Sequence, residues 1–198
     1  LILLTSLSAA GAIEEPAKEV KGYGPWLFGM TKEQVAGVAQ YAPYTPVSST
    51  GGLETANGEF EGHKTNISFV FKPTGGLAYI QLWVYTGRDF GKATEAWHTV
   101  YQHLIRNFGP VQHDKTAMAK DLSAEQLQAL LPPVFKPGET TFSVEELIRK
   151  GSQQLSTVKY QLEPVTPPNG ATVFASLMHS AQLGSYWVFL YYRAPNGA

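Results

Sequence analysis

The sequence predicts an α+β protein: antiparallel sheet meanders packed with about four helices, in the order helix, meander, helix, then helix, helix, meander. Three observations lead there. One helix-start pattern occurs three times, a fourth segment carries a long stripe of 3.6-residue period, and two stretches alternate with a period of two between short turns. The order hints at a duplicated helix-plus-meander unit. Beyond the helix starts, residue identity between the halves is slight, and shared helix physics alone produces that much.

The three helix starts are Met30-Thr31-Lys32-Glu33-Gln34-Val35, Leu122-Ser123-Ala124-Glu125-Gln126-Leu127 and Phe142-Ser143-Val144-Glu145-Glu146-Leu147. In each, a hydroxyl side chain at the N-cap accepts from the N3 amide. A Gln or Glu at N3 reaches back, and the flanking apolar pair closes over the turn. The first helix sets Val35, Val38, Ala39 and Ala42 at core spacing and must end before Pro43. Leu127, Leu130 and Leu131 form the second stripe, and Val144, Leu147, Ile148, Gly151 and Leu155 the third. The fourth helix starts near Asp89 and aligns Trp97, Val100, Tyr101, Leu104, Ile105 and Phe108 before Gly109-Pro110 ends it.

Between the first and fourth helices, Asn57-Gly58 reads as a tight turn between strands at 53–56 and 59–61. Strands at 65–72 and 77–86 then pair through Pro73-Thr74-Gly75-Gly76. Strands at 158–165, 171–179 and 185–193 form the second meander, and their short connections make them antiparallel. Residues 16–25 read as an irregular arm, and 195–198 as a fraying end. The divisions expected are a truncated export signal at 1–12, a helix-meander-helix unit at 13–112 and a helix-helix-meander unit at 113–198, the two units being able to share one domain.

The signal is expected because LILLTSLSAAGA is an apolar run closed by the small residues Ala10, Gly11 and Ala12. It falls well short of the roughly 20 residues of a membrane-spanning helix. Cleavage near Ala12 would deliver a periplasmic or secreted protein. With no cysteine anywhere, neither a lipid anchor on Cys nor a disulfide is expected. The 15 basic and 16 acidic residues leave a net charge of −1, without the positive field that nucleic acid or an anionic membrane demands. At 43% hydrophobic and 12% aromatic, the chain has material for a full core.

No metal or cofactor site is indicated. His63, His98, His103, His113 and His179 form no zinc pair, since His98 and His103 stand about 140° apart on their helix. Glu95 and His98 share a face but lack the further carboxylates of a di-metal bundle. Met178-His179-Ser180 puts a His beside a Ser on opposite faces of a strand, and no Gly-x-Ser-x-Gly elbow exists. Glu54, Glu59 and Glu61 read as a polar strand face rather than a glycosidase pair. Gly22-Tyr23-Gly24 and Ser49-Thr50-Gly51-Gly52 lack the strand-to-helix context of a phosphate loop, and Asn66-Ile67-Ser68 matches a glycosylation acceptor but lies inside a strand.

The unusual feature is aromatic. On the strand at 77–85, Ala78, Ile80, Leu82 and Val84 make one face, and Tyr79, Gln81, Trp83 and Tyr85 the other. A half-buried strand should be polar on its second face; this one is aromatic. The last strand repeats the arrangement, opposing Tyr186, Val188, Leu190 and Tyr192 to Trp187, Phe189, Tyr191 and Arg193. Either helices cover both faces, or one face is open and binds a partner. On the second alternative Tyr79, Trp83 and Tyr85, with Trp187 and Tyr191, are the contact set.

Phe28-Gly29-Met30-Thr31-Lys32-Glu33-Gln34-Val35 resembles the Gly-Met-Thr-x-x-x-Val helix start of two families of small exported bacterial proteins. These are the small lipoprotein subunit of the outer-membrane β-barrel assembly machinery and the β-lactamase inhibitory protein. The lipoprotein's attachment Cys and the inhibitor's cysteines are absent here. The resemblance implies a small exported protein that acts without catalysis through a sheet surface. The expected function is thus binding of a protein or envelope component, as an inhibitor, immunity or assembly factor. An envelope hydrolase with acid and base far apart in sequence is the alternative, and a purely structural subunit a third.

Overall fold

The computed structural model describes residues 18–113 and 157–195. Within them a single eight-stranded antiparallel sheet dominates. Its strands are β3 (Thr45–Val47), β4 (Gly52–Phe60), β5 (His63–Phe71), β6 (Leu77–Gly87), β7 (Val111–His113), β8 (Thr157–Pro164), β9 (Thr172–Ser180) and β10 (Ser185–Arg193). They run across the sheet in the order β3-β4-β5-β6-β10-β9-β8-β7. β6 and β10 lie side by side at the centre, so the two meanders form one continuous surface. A two-stranded hairpin, β1 (Gly22–Tyr23) with β2 (Trp26–Leu27), precedes them, its first strand within the arm read as irregular.

The expectation of about four helices is overturned. Among the described residues there are two, α1 (Lys32–Ala36) and α2 (Phe90–Phe108), and only α2 is long. The capping box at Thr31 forms as the sequence implies, with Gln34 N–H donating to Thr31 Oγ1 at 3.3 Å and Thr31 N–H to Gln34 Oε1 at 2.8 Å. The helix it opens buries only Val35, reaches its C-cap at Gly37 and tightens into a 3-10 turn at Ala39–Tyr41. One anchoring side chain is too little to offset the cost of helix nucleation over a longer run. The duplicated helix-plus-meander unit draws its second pair of helices from residues outside those described. Among the described residues the long helix α2 serves both meanders, touching β6 on one side and β8, β9 and β10 on the other. The helix starts at Leu122 and Phe142, and the expected signal at 1–12, lie outside the described residues.

α2 follows its sequence closely. Asp89 caps it by accepting from Lys92 N–H at 3.1 Å, Gly109 at φ 78° ends it, and Ala93, Trp97, Val100, Tyr101 and Leu104 are its buried stripe. That stripe rests on Ile80, Leu82, Val188, Leu190 and Tyr192 of the two central strands, with Ala175, Leu177, Tyr160 and Leu162 beyond. Trp26 extends the core at the other end, its ring 5.0 Å from Phe69 and 4.7 Å from Tyr41. No described helix is long and apolar enough to cross a membrane.

The turn expected at Asn57-Gly58 is instead a bulge within β4. The register passes from Thr55 opposite Ile67 to Gly58 opposite Thr65, one extra residue on β4. Glycine is needed there for a close approach, since a Cβ on Gly58 would overlap the Ile67 side chain. The hairpin turns at Glu61-Gly62, where both residues take positive φ, 50° and 77°. This two-residue loop matches the twist of its flanking strands.

Two outcomes follow. Gly58→Ala should lower stability by about 1–3 kcal/mol through overpacking against Ile67, measurable by urea unfolding; an unchanged midpoint would refute the close approach. His113, buried on β7 with its ring 6.4 Å from Tyr160, has its pKa pulled down by burial to about 4. A depressed histidine favours the fold above its unfolded pKa of about 6.5, and that stability disappears as pH falls through about 4. His113→Phe should therefore shrink the loss of urea midpoint between pH 7.5 and pH 4; an identical loss in both proteins would contradict this.

Candidate functional site

α2 and the β1–β2 hairpin pack on one face of the sheet, and the alternation of β6, β9 and β10 sends a second set of rings to the other. There Phe174, Phe189 and Tyr191 form a buried cluster edged by Tyr79, Met178 and Trp187. Phe174 stacks on Tyr191 at 4.5 Å, Tyr79 lies 5.5 Å from Tyr191, and Trp83 meets Phe189 edge-on at 5.0 Å. Arg193 sets its guanidinium over two rings, 5.4 Å from the centre of Phe174 and 6.0 Å from that of Tyr79.

Four of the five residues expected as the contact set, Tyr79, Trp83, Trp187 and Tyr191, share this outer face. Tyr85 does not. Val188 pairs with Tyr85 and Phe189 with Trp83, so Val84 is an extra residue in β6 and the alternation slips there. Val84 and Tyr85 both turn to the helix-covered side, where the Tyr85 hydroxyl accepts from Asp89 N–H at 3.0 Å. A bulge leaves no mark in an alternating sequence, so strand period alone misplaces this residue. Phe174 and Met178 of β9 join the face without having been singled out. Thr172, Phe174, Ser176 and Met178 alternate along β9, and that pattern could have placed them.

Exposure divides the face. Tyr191 is only 8% exposed and supports its neighbours, whereas Trp83 is 37% exposed, the only tryptophan among the described residues' exposed large apolar side chains. Ser68 Oγ accepts from Trp83 Nε1–H at 2.9 Å, which holds the indole in place across the β5–β6 pair. Around it lie Asn66 on β5, Gln81 and half-buried Tyr79. Burial raises the pKa of both Tyr79 and Tyr191, so their hydroxyls stay protonated donors at any physiological pH. The arrangement is a rigid apolar platform with a hydrogen-bonding border, which suits recognition.

The other face carries a polar cluster that sequence reasoning missed, because its members come from a hairpin turn, α2 and the last strand. His103 Nδ1–H donates to Glu61 Oε1 at 2.5 Å, which leaves Nε2 to accept from the Tyr192 hydroxyl at 2.9 Å. Arg106 donates to the same Glu61 oxygen at 2.6 Å. The hydrogen bond from His103, with help from Arg106, pulls the Glu61 pKa down, and burial pulls that of His103 down. Carboxylate, imidazole and hydroxyl in line have the form of a catalytic relay, yet the hydroxyl is a phenol only 4% exposed whose pKa burial raises strongly. A phenol so held neither ionises nor reaches a substrate bond. Among the described residues no group of three or more His, Asp or Glu side chains is placed to hold a metal ion.

Comparisons of the chain with protein-family models, with curated proteins and with solved structures find no match. The exposure pattern itself is directly testable. Trp26 and Trp97 are buried, so Trp83→Phe should remove a large part of the acrylamide-quenchable fluorescence and Trp97→Phe almost none. Equal loss from both variants would show that the outer face is sealed.

Proposed function

We propose that this chain is an exported protein that binds a partner protein through the outer face of its sheet, with Trp83 as the principal contact. The observation carrying the proposal is a tryptophan left 37% exposed on a well-paired central strand, braced by Phe189 and Ser68 and bordered by Tyr79, Gln81 and Asn66. A large indole pre-positioned in this way contributes apolar area with little ordering cost on binding. Tyr191 and Phe189 serve the site from beneath, and Tyr85 has no part in it. Trp187, half-buried at the far end of the cluster, extends the surface along β10. The class agrees with what the Gly29-Met30-Thr31 helix start and the apolar opening of the chain imply: a periplasmic or secreted inhibitor, immunity or assembly factor.

The buried phenol of the His103 cluster weighs against the hydrolase alternative. A structural subunit would reveal itself by a mass that rises with concentration. The test is capture from an envelope extract by the tagged chain and its Trp83→Ala variant, followed by calorimetry with the purified partner. Trp83→Ala should weaken binding by about 2 kcal/mol or more, as truncation of a true anchor does, while the urea midpoint stays near that of the wild type. Undiminished affinity would overturn the assignment.

A further inference from the structure

The N-terminal arm closes over the polar cluster from outside. Lys18 Nζ donates to Asn107 Oδ1 at 2.9 Å and lies 5.4 Å from the Phe108 ring. Val20 N–H donates to Asn169 O at 2.7 Å, and Asn169 N–H to Lys18 O at 2.9 Å. The Tyr23 ring lies tilted against that of Tyr192, 5.1 Å away, and its hydroxyl donates to Glu59 O at 2.6 Å. Between arm and sheet runs a groove of about 510 Å³ floored by Tyr192, His103, Asn107 and Phe108. From Lys21 on, the chain is tied to the core: Phe28 N–H donates to Lys21 O at 2.8 Å, and Gly22 and Tyr23 pair with Leu27 and buried Trp26. Residues 18–20 lie ahead of that hairpin and are held by the Asn107 and Asn169 ties.

We infer that His103 is a proton-operated latch: when its imidazole takes up a proton, residues 18–20 come away from the sheet and the groove beneath them opens. Two physical consequences of protonation drive this. Nε2 changes from acceptor to donor, so the bond to Tyr192 reverses: the phenol oxygen accepts from Nε2–H, and the buried Tyr192 O–H is left without its acceptor next to the Tyr23 ring. A buried donor deprived of its acceptor is costly. The second consequence is electrostatic. Imidazolium, Arg106 and Lys18 then face one carboxylate, Glu61, whose Oε1 already serves both His103 and Arg106. Arg106 can swing into water from α2. Lys18 reaches relief by moving with the arm.

The other ionisable groups nearby do not restore the balance. Tyr23 and Tyr192 stay neutral, and Glu19 is occupied by Lys21 at 3.3 Å. Glu59 receives Tyr23 only through its backbone carbonyl. Burial lowers the His103 pKa, so the latch is shut above the ordinary histidine range and releases as pH falls below it. The device lies on the face opposite Trp83 and stands independently of the proposed binding surface.

Amide hydrogen exchange on the full chain, corrected for intrinsic rates, tests this at pH 7.5 and at pH 5. Protection of the Val20 and Asn169 amides, which tie the arm down, should fall by up to about tenfold for each pH unit below the His103 midpoint, the limit for one coupled proton, while β5 and β6 keep theirs. The ¹⁵N titration of the His103 ring should share that midpoint. His103→Gln should make protection of the arm independent of pH. Should that variant fail to fold, Tyr192→Phe removes the hydroxyl that Nε2 must accept and should move the midpoint to higher pH. Equal protection at the two pH values, a pH response that survives His103→Gln, or a midpoint unmoved by Tyr192→Phe would overturn the latch.

Discussion

The antiparallel pairing of β6 with β10 sets Tyr79 opposite Arg193, Leu82 opposite Leu190 and Trp83 opposite Phe189, and most of the molecule's organisation follows from it. Residues far apart in sequence meet there, and both strands are apolar on both sides. Ile80, Leu82, Val188, Leu190 and Tyr192 give α2 its floor; Tyr79, Trp83, Phe189 and Tyr191 build the outer platform from the same backbone. A sheet with one wet face would need only the first set. In the second set Phe189 and Tyr191 are buried, and Trp83 is left 37% exposed.

β10 shows how tightly the two sides are linked. Tyr191 turns outward into the stack with Phe174, and Tyr192, the next residue, turns inward to His103. Neighbouring phenols on one strand thus support the outer aromatic cluster and a buried polar cluster. Both are held protonated by burial, and neither provides reactive chemistry.

What the sequence made legible was decided by local physics. The Thr31 capping box, α2 from its Asp89 cap to its Gly109 stop, and the span of β10 are set by residues close together in the chain, and all are readable there. Alternation likewise placed Tyr79, Trp83, Trp187 and Tyr191 on one face. Features that depend on a partner strand were not readable. The β6 bulge that turns Tyr85 inward and the β4 bulge that puts the turn at Glu61-Gly62 answer to registers with β10 and β5. The meeting of Glu61, His103 and Tyr192 is a tertiary event with no local trace. α1 stopped short because a capping box nucleates a helix but cannot supply the apolar stripe that sustains one.

A photo-reactive amino acid at position 83, compared with the same group at exposed Leu27 on the β1–β2 hairpin, interrogates the outer face in the cell where the protein acts. The account predicts a covalent adduct of discrete mass from position 83 and none from position 27. An adduct from position 27 with none from position 83 would contradict it.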